Sequence, residues 1–381
     1  MFIGENGAGK SNILEAIALA GAAQAGKLDN EFLASRGIRV SAPELMRAGF
    51  DVANSKNPVV ITTKTTEQRE FKYELNNDNQ PYSAWTKSPI HGETFAMQYF
   101  TSWFEDYLAS LPNDKRRLEA ISKIKEEFIP ALTGAAEAAK SSSAKEVSFK
   151  MELPASKHFR VNAGGIDDFI IYSPENSMLR AFEREGQIEP LGINGEGLLK
   201  LLGVLSKRRN KEAINDIKES LRLLNWFDDF RISRNTSRGK MEIVDQFLDP
   251  KIPCFDQRSA NEGFLFLAFY FALFSNELTP KFFAIDNIDS SLNPKLCEAL
   301  MRRLVALSKK HNKQVILTTH NPAILDGLDI SNPDNRLFVV SRASDGQTRV
   351  RRFEKKPSEG RPRRLSELFL SGALGGIPKH F

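Results

Sequence analysis

One stretch of eight residues near the start of the chain constrains its fold more than any other part of the sequence. Residues 4–11 read GENGAGKS, which matches the glycine, four variable positions, glycine, lysine and serine of a phosphate-binding loop. Glycines let the backbone N–H groups of such a loop close around phosphate oxygens. The largely apolar residues 13–18 then predict a helix whose N-terminal dipole faces the phosphates. The pattern predicts a nucleotide-binding domain, and a glycine-rich turn that only joins a strand to a helix is the plainer alternative.

The polar residues of this loop have separate predicted roles. Lys10 is expected to reach the terminal phosphates, and the Ser11 hydroxyl is expected to bind Mg²⁺. The candidate nucleotide-contacting residues are Gly4, Glu5, Asn6, Gly7, Ala8, Gly9, Lys10, Ser11 and Asn12.

The composition is that of an ordinary folded domain. The chain has 381 residues, of which 41% are hydrophobic, enough for one large domain or two smaller ones. It contains no run of eighteen apolar residues and no secretory or transit signal, which predicts a cytoplasmic protein. Cys254 and Cys297 lack metal-ligand spacing and are expected to be buried thiols. Because only three residues precede the loop, we expect further strands either to precede this sequence or to be supplied differently.

The charge is unevenly distributed along the chain. The net charge of +5 and the pI near 9.0 indicate only a mildly basic protein. A local excess near the C-terminus is either a solvated surface or a contact for nucleic acid or an acidic partner. Its members are Arg349, Arg351, Arg352, Lys355, Lys356, Arg361, Arg363 and Arg364.

The order of the predicted elements divides the chain into four segments. A β ribbon is predicted after the phosphate loop, helical periodicity follows from residue 94, and buried strands return near the C-terminal end. The final residues are expected either to fold back on their own domain or to dock on a partner. The segments are 1–93, the N-terminal part of the nucleotide-binding domain; 94–240, a helical insertion or lid; 241–345, its C-terminal part; and 346–381, a basic linker and docking tail.

Two apolar strands late in the chain end in polar residues. Residues 282–285 are followed by Asp286, where a Mg²⁺-ordering carboxylate belongs in phosphate-loop ATPases. Residues 315–319 form the second strand, which leads to His320. Asp286 is therefore the predicted second metal ligand, although an aspartate that merely ends a strand or caps a helix has the same pattern.

Taken together, GENGAGKS, FFAIDNIDSSLNP and VILTTHNP resemble the ATP-binding-cassette (ABC) ATPases of the lineage that contains chromosome-maintenance, double-strand-break-repair and overcoming-lysogenization-defect proteins. The resemblance implies an α/β fold of the ABC type of P-loop NTPase, with a mixed central sheet, an antiparallel β subdomain and a helical insertion. It also implies that ATP and Mg²⁺ are the cofactors, that Ser11 and Asp286 bind the metal, and that His320 senses the γ-phosphate.

The same resemblance implies which surfaces meet in a dimer. RSANEGFLFL, at residues 258–267, lies where the family keeps its signature motif, and Asn261, Glu262 and Gly263 match the core of that motif with Asn in place of Ser. SSLN, at residues 290–293, matches the dimer-facing loop. In this family the signature of one subunit closes on the ATP of the other. The match therefore implies a homodimer or higher homo-oligomer that forms around ATP.

A narrower resemblance concerns the biological role. YSPENSMLR, LGINGEGLL and LSELFLSGALGGIPKHF look like segments of the small ATPases of prokaryotic anti-phage modules, such as the Septu and retron-associated ATPases. This implies an ATPase that controls a separate effector, expected to be a nuclease, because the histidines of this chain form no nuclease pattern. A DNA-repair or chromosome-associated clamp that binds DNA under ATP control is a second interpretation. A nucleotide-sensing scaffold with negligible hydrolysis is a third, and no membrane partner is expected.

One position departs from the family pattern. The family places a catalytic glutamate directly after the metal aspartate, whereas this chain has Asn287, whose amide cannot accept a proton. Asp289 is expected either to replace it as the base or to cap the following helix. Hydrolysis is therefore expected to be slow, with ATP acting mainly as the ligand that closes the dimer. The predicted catalytic set is Asp286, Asn287, Asp289 and His320.

Overall fold

The computed structural model describes residues 1–65, 68, 70–88, 165–181, 189–233, 239–354 and 363–375. The chain divides into two compact units. The first comprises Met1–Thr63, Lys72–Lys87 and Gly165–Phe381, and the second comprises Lys64–Phe71 and Ser88–Gly164. Residues 165–233, which the sequence assigns to the helical insertion, thus belong to the same unit as the phosphate loop. The helices predicted over residues 94–145 lie outside the described residues.

Strands and helices are interspersed along the described chain, and single strands and helices alternate between residues 255 and 317. The strands are β1 (Phe2–Ile3), β2 (Val59–Lys64), β3 (Glu70–Asn76), β4 (Thr86–Lys87), β5 (Ile171–Tyr172), β6 (Phe227–Ile232), β7 (Met241–Asp245), β8 (Phe255–Asp256), β9 (Phe282–Ile285), β10 (Gln314–Leu317), β11 (Leu337–Arg342) and β12 (Thr348–Phe353). The helices are α1 (Lys10–Ala25), α2 (Asn30–Ser35), α3 (Asn176–Leu179), α4 (Leu198–Lys207), α5 (Glu212–Leu221), α6 (Glu262–Phe274), α7 (Pro294–Lys310) and α8 (Leu365–Leu370). Short 3₁₀ helices cover Val52–Lys56, Ile166–Asp168 and Pro322–Gly327.

The strands next to the phosphate loop form a mixed sheet. Strand β9 pairs in parallel with both β5 and β10, and β1 pairs in parallel with β11. Strand β12 returns antiparallel to β11. A parallel bridge between Phe2 and Thr318 joins the two groups of strands. Because parallel strands end at the same edge, the residues that follow β1, β9 and β10 meet there. The predicted α/β fold with a mixed central sheet is confirmed.

Two smaller sheets accompany this central one. Strands β2, β3 and β4 are neighbours in that order, and β3 pairs antiparallel with β4. Strands β6, β7 and β8 form an antiparallel sheet that leads directly into α6.

Helix α6 is the centre of the hydrophobic core. Each of its residues from Phe264 to Phe274 is buried, so the helix is apolar on all sides. Phe269 lies edge-on to Tyr172 of β5 with ring centroids 5.8 Å apart, and Phe274 lies edge-on to Phe283 of β9 at 5.2 Å. The residues that begin α6 are therefore carried by a helix fixed against the central sheet.

The C-terminal tail is packed on its own unit as far as residue 375. Leu365 and Leu374 are buried in the core, and Ser366 donates its hydroxyl proton to Asp326 at 2.7 Å. Arg351 of β12 donates to the carbonyl oxygen of Leu374 at 2.8 Å. Leu370 is nevertheless 67% exposed. A docking role for this tail stays a prediction, and residues 376–381 lie outside the described chain.

Candidate nucleotide-binding site

The phosphate loop connects β1 to α1, and two of its glycines are required by close contacts. A Cβ atom on Gly4 would lie 2.1 Å from the carbonyl oxygen of Val340 in the neighbouring strand β11. Gly9 has φ +102°, and a Cβ atom there would lie 2.2 Å from Oγ1 of Thr348. A side chain at either position would collide with the adjacent strands, so the loop can take this path only with glycine.

Lys10 is folded back over the loop. Its side chain is only 6% exposed, and its Nζ donates to the carbonyl oxygens of Gly4 at 2.9 Å and Glu5 at 3.0 Å. Burial lowers the pKa of Lys10, while the carboxylates of Asp286 and Glu5 oppose that shift. The ammonium group is therefore held at the mouth of the loop, on the side where Asp286 lies.

The two predicted metal ligands are in direct contact. Ser11 Oγ donates to Asp286 Oδ2 at 2.8 Å, although the residues are 275 positions apart. The other carboxylate oxygen of Asp286 accepts a hydrogen bond from the Thr318 hydroxyl. Its backbone N–H donates to the carbonyl oxygen of Tyr172 at 2.9 Å. The ends of β5, β9 and β10 thus fix this carboxylate beside the first turn of α1.

Asn287 occupies a turn that disfavours most residues. Its φ is +56°, in the left-handed region where asparagine is enriched. Its backbone N–H donates to the Thr318 hydroxyl oxygen at 2.9 Å, and its side chain is exposed. A glutamate in this backbone conformation would carry a strain of about 1 kcal/mol. Asparagine therefore suits the local geometry as well as departing from the family pattern.

Asp289 lies beside His320 and does not cap the following helix. Its Oδ1 accepts a hydrogen bond from the Thr319 hydroxyl at 2.5 Å and one from the His320 backbone N–H at 3.4 Å. The cap of α7 is Asn293, whose side chain accepts from the N–H of Leu296 at 2.9 Å. The helix-capping alternative for Asp289 is therefore wrong, and its carboxylate faces the end of β10.

The environment of His320 keeps its ring uncharged at neutral pH. Burial lowers its pKa below the ordinary value, and the positive charge of Lys10 lowers it further, against the opposing carboxylates of Asp289 and Asp286. A neutral imidazole can accept a hydrogen bond through one nitrogen and donate through the other. The side chains of Lys10, Asp286, Asp289 and His320 are thus close enough to affect one another's charge.

The signature residues lie together with the predicted dimer-facing loop. Asn261 caps α6 by accepting from the N–H of Phe264 at 2.8 Å. A Cβ atom on Gly263 would lie 3.6 Å from both Leu292 Cδ2 and the carbonyl oxygen of Ser291. Asn261, Glu262, Ser290, Ser291 and Asn293 are exposed. Residues 261–263 and 290–293 therefore form one continuous surface, which α6 supports.

Comparison with known proteins identifies the family. A family model described as "AAA domain, putative AbiEii toxin, Type IV TA system" matches residues 1–326. The chain belongs to this AAA family. It is a P-loop ATPase domain, and the match covers the phosphate loop, the signature residues and Asp286 together.

Solved structures with similar folds include heads of SMC proteins. The SMC head bound to the C-winged helix domain of ScpA is 13% identical to this AAA domain, with 92% of this chain and 89% of that chain covered and a TM-score of 0.48. The SMC head domain from Thermotoga maritima is 15% identical, with 93% and 89% covered and a TM-score of 0.37. A head from Pyrococcus furiosus bound to the C-terminal domain of ScpA is 13% identical, with 92% and 89% covered and a TM-score of 0.42. No curated protein matches the chain.

Sequence patterns do not predict that Thr348 and Arg39 lie at the nucleotide-binding site of this AAA domain. Thr348 donates its hydroxyl proton to the carbonyl oxygen of Ala8 at 3.0 Å, from a strand 340 positions away. Arg39 donates to Asn12 at 2.8 Å and to Glu15 at 2.5 Å, which places its guanidinium beside the first turn of α1. A polar residue at the end of a buried strand could have pointed to Thr318, but Thr348 and Arg39 are brought in by tertiary packing alone.

The part of the chain that the structure describes contains neither a candidate membrane span nor a clustered metal site. Within those ranges, no helix combines the length and the apolar character needed to cross a bilayer. Nor do three or more His, Cys, Asp or Glu side chains gather there in a metal-holding group. A metal held by one carboxylate, one hydroxyl and the phosphates of a nucleotide is compatible with that finding.

Proposed function

We propose that this AAA domain binds ATP with Mg²⁺ at Lys10, Ser11 and Asp286, and that two copies close around the nucleotide. The observation that carries the proposal is the 2.8 Å contact between Ser11 Oγ and Asp286 Oδ2. This contact brings the first turn of α1 and the end of β9 to one point, where the β- and γ-phosphates of a nucleotide on the loop would lie.

The donor set fits a magnesium ion. Mg²⁺ prefers oxygen ligands and is usually bound through one or two carboxylates or hydroxyls plus substrate phosphates. Ser11 and Asp286 supply one hydroxyl and one carboxylate, and Thr318 holds the carboxylate in place. When bound, the ion would neutralise charge on the phosphates.

Lys10 is the residue expected to gain most from the nucleotide. In the described structure its ammonium bonds two neutral carbonyl oxygens. Phosphate oxygens are charged acceptors, and charge-assisted hydrogen bonds are about twice as strong as neutral ones. The side chain therefore turns from the loop carbonyls to the terminal phosphates when ATP binds.

Hydrolysis is proposed to be slow, with Asp289 as the base. Asn287 cannot take a proton from the attacking water, whereas the Asp289 carboxylate can, and Thr319 orients it. His320 is expected to contact the γ-phosphate from the adjacent strand end. Turnover would then act as a slow timer on a dimer that ATP binding itself has closed.

The exposed residues Asn261 and Ser291, with the half-buried Gly263 beside them, support the proposed dimer. Their polar groups and the glycine leave room for a second chain, and the rigid α6 supports this surface from below. In the proposed dimer, the phosphates of the ATP bound to the other subunit lie against this surface.

The role in a defence system is the broadest part of the proposal. The family description names a putative toxin of a toxin–antitoxin system, which supports a role in defence. Control of a separate effector, proposed to be a nuclease, rests on the sequence resemblance to the ATPases of anti-phage modules. The proposed location is the cytoplasm. The exposed Leu370 on α8 is a candidate contact for that effector.

DNA binding is a second candidate function, and exposed arginines favour it. Arg349 and Arg352 on strand β12, and Arg209 with its neighbours Lys207 and Lys211, are exposed. Affinity for DNA that falls steeply with salt, and that is lost on neutralising Lys207, Arg209 and Lys211, would support the clamp. Salt-independent or absent binding would leave the effector-controlling ATPase as the function.

ATP titration with and without Mg²⁺ tests the central proposal. Asp286→Asn keeps the side-chain shape but removes the charge, so it should abolish the gain in ATP affinity that Mg²⁺ gives the unmodified protein. Asp228→Asn, at an exposed aspartate of β6, is the matched control and should behave like the unmodified protein. Equal Mg²⁺ dependence in all three proteins would refute the assignment.

The dimer and the base need separate variants. Ser291→Arg should leave ATP binding unchanged and prevent ATP-dependent dimer formation in sedimentation experiments, because the new side chain projects from the proposed interface.

Asp289→Ala should remove the slow turnover, and Asn287→Asp should raise it, since aspartate tolerates the left-handed backbone better than glutamate. Fast turnover that survives Asp289→Ala would contradict the proposed base.

A further inference from the structure

Phe50 is a large aromatic side chain that is 56% exposed and yet held in a fixed position. Its ring lies over the guanidinium of Arg342, 4.6 Å from carbon to centroid. A Cβ atom on Gly346 would lie 2.8 Å from the Cδ1 and Cγ atoms of the ring, so the ring rests directly on the backbone of that residue. The contacts with Arg342 and Gly346 hold the ring, while more than half of its surface remains open to solvent.

The loop that carries Phe50 is fixed by a buried arginine three residues earlier. Arg47 donates to the carbonyl oxygens of Asn57 and Asn77, both at 2.7 Å, and its guanidinium lies 4.8 Å from the ring centroid of Trp85. It also donates to Pro43 and Asn79. A loop tied at this many points presents Phe50 at a defined place.

That place is next to the phosphate loop. Arg342 is the last residue of β11 and Gly346 lies in the turn before β12, where Arg342 Nε donates to the carbonyl oxygen of Gly346 at 3.1 Å. Two residues after Gly346, Thr348 donates to the carbonyl oxygen of Ala8 in the phosphate loop. Two residues of chain span at most roughly 7 Å, a distance that the sugar of a nucleotide can bridge.

We propose that the exposed face of Phe50, backed by Arg342, is the platform on which the purine base of the bound nucleotide stacks. This inference rests on the proposed binding of ATP at the phosphate loop. A flat ring supported by a cation offers a base both stacking and electrostatic attraction. A purine has the larger face, so it gains more from the platform than a pyrimidine.

The test compares ATP with inorganic tripolyphosphate, which has the phosphates but no base. In calorimetric titrations of the full chain, Phe50→Ala should weaken ATP binding about tenfold and leave tripolyphosphate binding within twofold of the unmodified protein. Phe50→Trp should retain ATP affinity, because it keeps an aromatic face. Val52→Ala is the matched control, since Val52 is an 88% exposed apolar side chain two residues later, at the start of a 3₁₀ helix, and the substitution should have no effect on either ligand. The preference for ATP over CTP should also shrink in Phe50→Ala.

Several outcomes overturn the inference without touching the proposed function. Unchanged ATP affinity in Phe50→Ala, with or without loss of a protein partner, would place the base elsewhere and make the loop a docking surface. Equal loss of ATP and tripolyphosphate would show that the loop supports the phosphate site instead. If Lys10→Ala had no effect on tripolyphosphate, the proposed phosphate site itself would fail, which is a distinguishable result.

Discussion

Two lysines are buried in the part of the chain that the structure describes, and they have opposite surroundings. Lys10 is 6% exposed and Lys313 is 8% exposed. Lys10 donates to two loop carbonyls, and Lys313 donates to the carbonyl oxygens of Thr279 at 2.9 Å and Pro280 at 3.1 Å. In both cases burial lowers the pKa of the ammonium group. By burial and hydrogen bonding alone, the two side chains look equivalent.

Their charged neighbours separate them. Asp286 and Glu5 stabilise the charge of Lys10, whereas the nearby Lys281 adds to the destabilisation of Lys313. Lys10 also sits on a glycine loop that leaves backbone N–H groups near it, while Lys313 fastens the turn before β9 to the start of β10. Burial of a cation is therefore not a sign of function. The sign of a binding function is a buried cation that lies beside carboxylates and a glycine-rich anion site.

The largest expected effect concerns Lys10, the lysine proposed to bind the phosphates of ATP. Lys10→Ala should weaken ATP binding at least about 100-fold, or roughly 3 kcal/mol, because charge-assisted hydrogen bonds to the terminal phosphates are lost. Calorimetric titration gives the affinity, and thermal unfolding should show the fold intact. Lys56→Ala, at an exposed lysine, is the control. Similar ATP affinity in both variants would make Lys10 as structural as Lys313.

The structural lysine should give the reverse result. Lys313→Ala leaves the carbonyl groups of Thr279 and Pro280 without their donor and should lower the free energy of unfolding by about 2 kcal/mol. ATP affinity should stay within twofold of the unmodified protein. Denaturant unfolding and ATP titration on the same sample measure both quantities. A large loss of ATP affinity with no loss of stability would show that Lys313 is not structural and would contradict the comparison.

The pH dependence of stability should also distinguish Lys313. Burial, with help from Lys281, lowers its pKa from 10.5 to about 8, so between these values the unfolded chain holds a proton that the folded chain lacks. Stability must therefore rise with pH across that window, by about 2 kcal/mol between pH 7.5 and 9.5. Lys313→Met removes the titrating group and should flatten the curve relative to the unmodified protein. Parallel curves for the two proteins would contradict the lowered pKa.

The smallest effect concerns the glycine-rich loop that carries Lys10. Gly9→Ala should cost about 1–2 kcal/mol of stability, because φ is positive and Thr348 blocks the new Cβ atom. Gly7 also has positive φ, +75°, but nothing lies within 4 Å of its Cβ position. Gly7→Ala is therefore the control for strain without collision, and its loss should be the smaller one in thermal unfolding. Equal losses would mean that Thr348 simply moves aside.

Much of this site could be predicted from short sequence patterns. The phosphate loop needs φ values and close approaches that only glycine tolerates, so its glycines can be recognised directly in the sequence. Asp286 and His320 could be placed because each follows an apolar run long enough to be a buried strand. The surroundings of Asp289 could not be predicted, since its carboxylate accepts hydrogen bonds from Thr319 and the His320 backbone and not from a local helix N-terminus.

The boundaries of the compact units were harder to predict than the motifs. The sequence places residues 94–240 in one insertion because helices follow one another there. The structure packs α4 and α5 against α6, through buried side chains such as Leu202 and Ile217, in the unit that holds the phosphate loop. Amphipathic periodicity shows that a helix has a buried face but does not show which element covers it.

The sequence by itself determined the phosphate loop, the α/β class and the strand ends that carry acidic and polar side chains, because these depend on backbone conformation and local periodicity. Only the tertiary structure decided that Ser11 touches Asp286, that Thr348 bonds the loop and that Phe50 packs on Arg342. The physical reason is the order of the strands. Residues hundreds of positions apart become neighbours only when β1 is placed between β10 and β11, and no local pattern records that placement.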